Sequence, residues 1–396
     1  MNKVSSAILR RVLLLNKRLA ESTSTGIDWL FNRDTLIQSG RTWFELVHDG
    51  DLMAVRYYEL PGETEIKMSD GTVMPIRRRK HAMPLVLVPP LGVTTETFDL
   101  LPERSLVRYM VAAGFKVYLI DWGKPGPQHA HLGLLEYSYD MMGLALSKIR
   151  KHSGSEDVSL MGWCMGGLLS LLYQGQAKDP HVRNIVTVAS PIDLGTGSGV
   201  LGAVASVAQA LDGPAQLLGS YSKLRLNTLD PALLSLPDWA TTLAFKATDP
   251  IGSVTAYWDL VTRLWDREFV KSHSTTSDYL NNMRRYPGGV VKDMIKGAAI
   301  ENLLAKGKMP IGEKIAELDS IESNLLAFAG ESDYLVPVDA AEKIIDVVAS
   351  KDKSFREAPG GHMGVIIGSA APSMVWQQSA DWLKKRSGLV KLVAEK

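Results

Sequence analysis

Cysteine is almost missing from this chain: Cys164 is the single one in 396 residues. An internal disulfide is therefore excluded, and no Cys/His spacing resembles a zinc site. The chain reads as a protein of a reducing, cytoplasmic compartment with no resident metal or cofactor. An excess of charge is missing too, with 44 Lys and Arg against 43 Asp and Glu. Net charge thus gives no reason to expect nucleic acid or another strongly charged partner. Apolar runs end well short of the roughly 20 residues that span a bilayer, so no transmembrane helix is expected. The opening stretch "MNKVSSAILRRVLLLNKRLAEST" places Arg10, Arg11, Lys17 and Arg18 in and after its apolar part and has no small-residue cleavage site. It does not read as a secretory signal. No internal repeat or low-complexity segment interrupts the chain.

What is present is a hydrophobic content of 45%, enough for a large buried core. Ile8, Leu9, Val12, Leu13, Leu15 and Leu19 recur at helical spacing. They predict an amphipathic helix, packed on the body of the protein or lying on a partner or lipid-like surface. "LMAVRYYEL" and "TVMPIRRRK", around a turn at Ser69-Asp70-Gly71, read as an antiparallel pair. Then strands and helices alternate. "MPLVLVPP", "FKVYLIDWG", "DVSLMG" and "VRNIVTVAS" are buried strand runs, separated by helical stretches. This rhythm predicts an α/β fold, a mostly parallel sheet covered by helices on both faces. From about Gly195 to Leu318 the rhythm breaks into a largely helical, irregular stretch without a buried strand run. It resumes with "NLLAFAGESDYLVPVDAAEKIIDVVAS". The expected organisation is an N-terminal helical extension (1–50), a first core part (51–194), a helical cap insertion (195–318) and a second core part (319–396).

The chemistry gathers at "VSLMGWCMGGLLSLLY". A tight strand-to-helix turn that raises its central side chain above a sheet needs small neighbours, and Gly162, Gly166 and Gly167 supply them. Alone, Cys164 would read as a buried structural thiol. Between a buried strand and a helix, it reads as a nucleophile at a helix N-terminus. The backbone N–H of Met165 can then face an oxyanion on a substrate carbonyl. A second donor is expected from the loop after the first core strand, at Leu91 or Gly92, although Pro89-Pro90 can also be a simple strand terminator.

Such a nucleophile needs a base and an orienting acid, in the chain order nucleophile, acid, histidine. Asp333 follows a buried strand in "FAGESDYLVP", and His362 lies in the glycine-flanked "APGGHMGVI". Both fall at carboxyl ends of parallel strands, where such sheets carry their sites. Taken singly, Asp333 is a turn residue or helix cap and His362 a surface histidine; order and spacing make them a set. Of the other histidines, His129 and His131 lie in a loop near Trp122, and His48, His81, His152, His181 and His273 look solvent-facing or linker-borne.

Val88-Pro89-Pro90, the run "FDLLPERSLVRYMVAAGFKVYLIDWGKP", GWCMGG, Asp333 before Val336-Pro337, and Gly361-His362 together resemble polyhydroxyalkanoate synthases. These are cysteine-dependent members of the α/β-hydrolase superfamily. The resemblance runs from about Pro84 to Lys385, and the chain length is nearer the shorter, two-subunit type. It implies an α/β-hydrolase fold and transfer of a 3-hydroxyacyl group from coenzyme A to Cys164, then to a hydroxyl of a growing polyester chain. His362 is then the base and Asp333 its orienting acid. It also implies a partner subunit or a polyester granule surface as a binding partner, and a homodimer. Two positions depart from the family pattern: Tyr334 stands where histidine commonly follows the aspartate, and "YWDLVTRLWD" replaces a Trp-Asn-x-Asp-x-Thr run in the cap. The competing readings are a hydrolase using the same trio with water as acceptor, either thioesterase or depolymerase, and a granule-surface scaffold without turnover.

Overall fold

The computed structural model describes residues 22–195, 199, 201–202, 205–206, 230–247, 260 and 262–389. The amphipathic helix expected before residue 20, and positions 257–259 and 261 of "YWDLVTRLWD", lie outside the described residues.

Eight strands form the main sheet: β1 (Phe44–Asp49), β2 (Ala54–Tyr58), β3 (Leu85–Val88), β4 (Val117–Asp121), β5 (Val158–Trp163), β6 (Val182–Val188), β7 (Asn324–Gly330) and β8 (Lys353–Ala358). Their spatial order is β1-β2-β4-β3-β5-β6-β7-β8. From β4 to β8 every neighbouring pair is parallel, whereas β1 and β2 add an antiparallel edge. The central strands explain themselves. Leu85, Val86, Leu87 and Val88 are wholly buried, as is all of β5, because helices cover both faces and leave no wet side for polar residues.

Helix α1 (Leu106–Ala112) starts where the Ser105 side chain accepts from the Arg108 N–H. This is an N-cap that satisfies one otherwise orphaned amide. Helix α2 (Met142–Ser153) ends on Gly154 at φ 70°, a left-handed closure that glycine permits. Helix α3 (Met165–Ala177) leaves β5 directly and is buried over most of its length, consistent with its central place under the sheet. One apolar cluster on each side of the sheet, the first around Val86, Leu160 and Leu168 and the second around Leu87, Met161 and Trp163, forms the core.

The structure corrects three local expectations. The segments 52–60 and 72–80 do not pair. Residues Ala54–Tyr58 join β1 and β4, while Val73–Pro75 closes a small hairpin with Glu65–Lys67 around the expected turn. The period-two pattern of "AVRYY" marked a strand but carried no information on its neighbour. Second, the 195–318 stretch is not free of strands: Lys308–Ile311 and Lys314–Glu317 form a hairpin, with Met309, Ile311 and Ala316 buried against the core near α3. Third, His81 is buried. Its ring stacks on Phe115 at 4.4 Å between centroids, and Nδ1 bonds the Gly388 carbonyl at 3.1 Å.

The "DLLPERSLVR" run is a structural clamp. The buried Asp99 carboxylate accepts from the Thr42 N–H at 3.0 Å, the Thr42 hydroxyl at 2.7 Å and the Ser105 hydroxyl at 2.6 Å. Arg108 pairs with Glu63 on the outside.

The packing of α3 on the sheet sets a sharp limit on side-chain size. A Cβ on Gly166 would lie 1.9 Å from the Val88 carbonyl oxygen, a backbone atom that cannot swing away. We predict that Gly166→Ala destabilises the protein at or beyond the upper end of the ~1–3 kcal/mol typical of overpacking. Gly26→Ala, in a helix where nothing lies within 4 Å of the added carbon, gains up to ~1 kcal/mol. Urea unfolding of the two variants beside the parent protein checks both signs.

Candidate active site

The strand-to-helix turn after β5 holds Cys164 at φ 51°, ψ −122°, a backbone region that residues with a side chain rarely occupy. The strain is held from both sides. The Cys164 N–H donates to the Val188 carbonyl at 2.7 Å, and its carbonyl accepts from the N–H groups of Gly167 and Leu168 at 3.1 and 3.2 Å. Gly162, Gly166 and Gly167 are obligatory here, since an added Cβ would meet Gly167 N at 2.3 Å, Val88 O at 1.9 Å and Ser190 Oγ at 2.1 Å respectively. The thiol is half-buried at the mouth of this turn.

Asp333 and His362 come from the loops after β7 and β8, on the far side of β6 in the sheet. After β7, Asp333 N bonds Gly330 O at 3.1 Å, and Ser332 N bonds Gly360 O at 3.2 Å, which draws the loop after β8 against it. Little space is left between them. A Cβ on Gly330 would lie 2.5 Å from Gly360 O, and Gly360 itself sits at φ 118°. The result is a bond from His362 Nδ1–H to Asp333 Oδ2 of 2.8 Å, with both side chains almost wholly buried. The other carboxylate oxygen accepts from the backbone N–H groups of Leu335 and Val336, each at 2.9 Å. Asp333 therefore arrives fully oriented, and the imidazole is held with Nε2 turned away from the acid.

Burial alone would strip the proton from His362. The charge of the nearby Cys164 sulfur and the hydrogen bond to Asp333 outweigh it and push its pKa up to about 10, while Nε2 itself has no hydrogen-bond partner among the described residues. A buried imidazolium is sustained only by charge close at hand. Tyr334, the position that departs from the family pattern, is 73% exposed, whereas Asp333 and His362 are buried.

The loop after β3 reaches the same place. Leu91 and Met165 belong to one buried cluster, and Met165 opens α3, where a first-turn N–H has no partner within the helix. Gly92 lies under a segment from the 195–318 stretch: Arg284 N donates to Gly92 O at 3.0 Å, and a Cβ on Gly92 would meet the Tyr286 ring at 2.9 Å and the Thr241 methyl at 3.1 Å. Burial pushes the Tyr286 phenol upward, and the charge of Cys164 adds to the effect. Tyr279 is buried nearby, its hydroxyl bonded to Thr97 at 2.5 Å. Neither tyrosine stands out in the sequence, because both lie far from Cys164 along the chain and in no motif. Among the described residues no group of three or more His, Cys, Asp or Glu could hold a metal ion, and no helix is long and apolar enough to cross a membrane.

Residues 92–369 match the family profile described as "alpha/beta hydrolase fold", and the chain belongs to that family. Within it, the chain is a homologue of poly(3-hydroxyalkanoate) polymerase subunits. It is 26% identical over 352 residues to poly(3-hydroxyalkanoate) polymerase subunit PhaC of Haloferax mediterranei, a match spanning 89% of this chain and 65% of that protein. The chain thus spans less than two thirds of that relative's length. It is 26% identical over 379 residues to the subunit of the same name from Haloarcula marismortui, spanning 96% of this chain and 75% of that protein. Against the Thiocystis violacea subunit the identity is 26% over 368 residues, with 91% and 93% covered.

The charge pairing at His362 is open to direct measurement. Replacing Cys164 by alanine removes the negative sulfur, a cause that raises the imidazole pKa, while leaving burial, which lowers it. We predict that the His362 pKa falls well below about 10 in Cys164→Ala, read by 15N NMR titration of the imidazole. An unchanged value would mean that Cys164 does not share its charge with His362.

Proposed function

We propose that this protein is an acyltransferase that polymerises 3-hydroxyacyl-CoA through a thioester on Cys164. The observation that carries the reading is the buried 2.8 Å bond between His362 Nδ1 and Asp333 Oδ2, in a site where the sulfur of Cys164 bears on the imidazole charge. The Cys164 thiolate attacks the carbonyl carbon of the acyl-CoA thioester, and the N–H of Met165, with Leu91 or Gly92, meets the oxyanion. The carbon–sulfur bond to coenzyme A then breaks, and the departing thiolate takes the proton from His362 Nε2. In the second half, the 3-hydroxyl of another monomer or of the growing chain gives its proton to His362 as its oxygen attacks the acyl carbon. Cys164 leaves as thiolate and the ester remains. Asp333 keeps the imidazole in the orientation that both steps need.

A thiol suits this task. Exchanging one thioester for another nearly conserves the bond energy, so the acyl group stays activated for the incoming alcohol. A serine ester would be less activated. Homology to proteins named as polymerase subunits supports the synthase reading and a partner subunit; a polyester granule surface in the cytoplasm and a homodimer belong to the same proposal. Membership of the α/β hydrolase family favours one second reading, in which water takes the acyl group from Cys164.

The two separate in one assay. Purified protein is given 3-hydroxybutyryl-CoA, release of the free thiol is followed, and the product is analysed. We expect polymer; free 3-hydroxybutyrate would assign a hydrolase. Cys164→Ala must abolish thiol release, and retained turnover would eliminate the covalent mechanism. Gly92→Ala drives a methyl toward the Tyr286 ring and displaces the oxyanion loop. A fall in kcat of about 10-fold or more is expected in the same assay, by comparison with the roughly 100-fold or greater loss on removing an oxyanion donor outright.

A further inference from the structure

Trp163 is the residue immediately before the nucleophile and the last of β5, and it is wholly buried. Its indole Nε1–H donates to the backbone carbonyl of His362 at 3.2 Å. Its ring faces the His362 imidazole with centroids 5.2 Å apart and planes inclined at 36°. A buried side chain of this size would be expected to serve packing alone, and Trp163 does pack in the apolar cluster with Val188, Val365 and Ile366. Two directed contacts to one histidine, 199 positions away in sequence, go beyond packing.

We propose that Trp163 is a positioning residue for His362: its N–H fixes the backbone that carries the imidazole, and its π face supports the imidazolium. An aromatic face within about 6 Å of a cation attracts it through the ring quadrupole, most strongly for tryptophan and where water is excluded. The charged groups that act on the imidazole are Asp333, from the loop after β7, and Cys164, from the turn after β5. Trp163 is the neutral wall between them and the core. The same four-residue stretch, Gly162 to Met165, thereby supplies the nucleophile and one support of its base. The inference rests on the reading of His362 as the base, but it concerns a property of the imidazole that can be read without substrate.

The test is an NMR titration of His362 in a Cys164→Ala background, so that the sulfur does not titrate beside it. Into this are placed Trp163→Phe, which keeps a weaker π face and loses the N–H, and Trp163→Leu, which loses both. The expected result is a graded fall in the His362 pKa, about half a pH unit for Phe and about one for Leu, from the usual strength of a buried cation–π contact. With Cys164 restored, the alkaline limb of the thiol-release profile, where His362 loses the proton it gives to the departing thiolate, is expected to move down by a similar amount while KM changes little. An unchanged imidazole pKa in folded variants, with only the melting temperature lowered, overturns the proposal and leaves Trp163 as packing. Should the Leu variant fail to fold, growth on fluorinated tryptophans replaces all nine indoles without changing their shape. The His362 pKa must then fall stepwise with fluorine number; a flat series overturns the π contribution. Loss of polymer synthesis with the pKa shift retained would instead strike the functional reading and spare this one.

Discussion

The site depends on one unfavourable backbone conformation. Cys164 at φ 51° costs on the order of 1–3 kcal/mol and persists only because its surroundings leave no alternative. Its amide is claimed by β6 and its carbonyl by α3, while the three glycines let strand, helix and the neighbouring β3 approach to backbone contact. Everything else follows from that approach. The loop after β3 is brought beside the start of α3, the sulfur is lifted clear of the sheet, and β7 and β8 deliver their loops to its other side.

Against this rigid turn stands a charge arrangement that water would normally dissolve. Asp333 and His362 have almost no exposed side chain, and a buried ion pair is weak support for stability because desolvation is costly. The chain answers with directed bonds. Two amides hold one carboxylate oxygen, the imidazole holds the other, and Trp163 holds the histidine's own carbonyl. Such a network specifies geometry more than it adds stability. That is what a proton carrier requires.

Much of this was legible in the sequence. Continuous apolar runs such as "LVLV" can be buried strands, and their alternation with helical stretches identified the parallel sheet. The order Cys164, Asp333, His362, each just past a strand end, follows from the same alternation, and the structure brings Asp333 and His362 into contact. What was hidden depends on pairing between distant segments. Nothing in "AVRYY" says that it extends the main sheet as an antiparallel edge, since strand pattern is local and strand partnership is not. The hairpin at 308–317 was missed because its strands are four residues each with only one face buried, too short for a pattern to show. His81 read as exposed among "RRRKH", yet its flat ring fits on Phe115. Trp163 and Tyr286 carry no local mark at all, as their partners lie 199 residues away or in the loop after β3.

The backbone bond from Arg284 to Gly92 ties two distant parts of the chain at one point. With the Tyr286 ring and the Thr241 methyl packed over the same glycine, position 92 has no room for a side chain. A loop that the sheet anchors at β3 thus has its side-chain size limited by residues 149 to 194 positions further along the chain, so a substitution at Thr241 or Tyr286 changes what the loop after β3 can accommodate without touching that loop's own sequence.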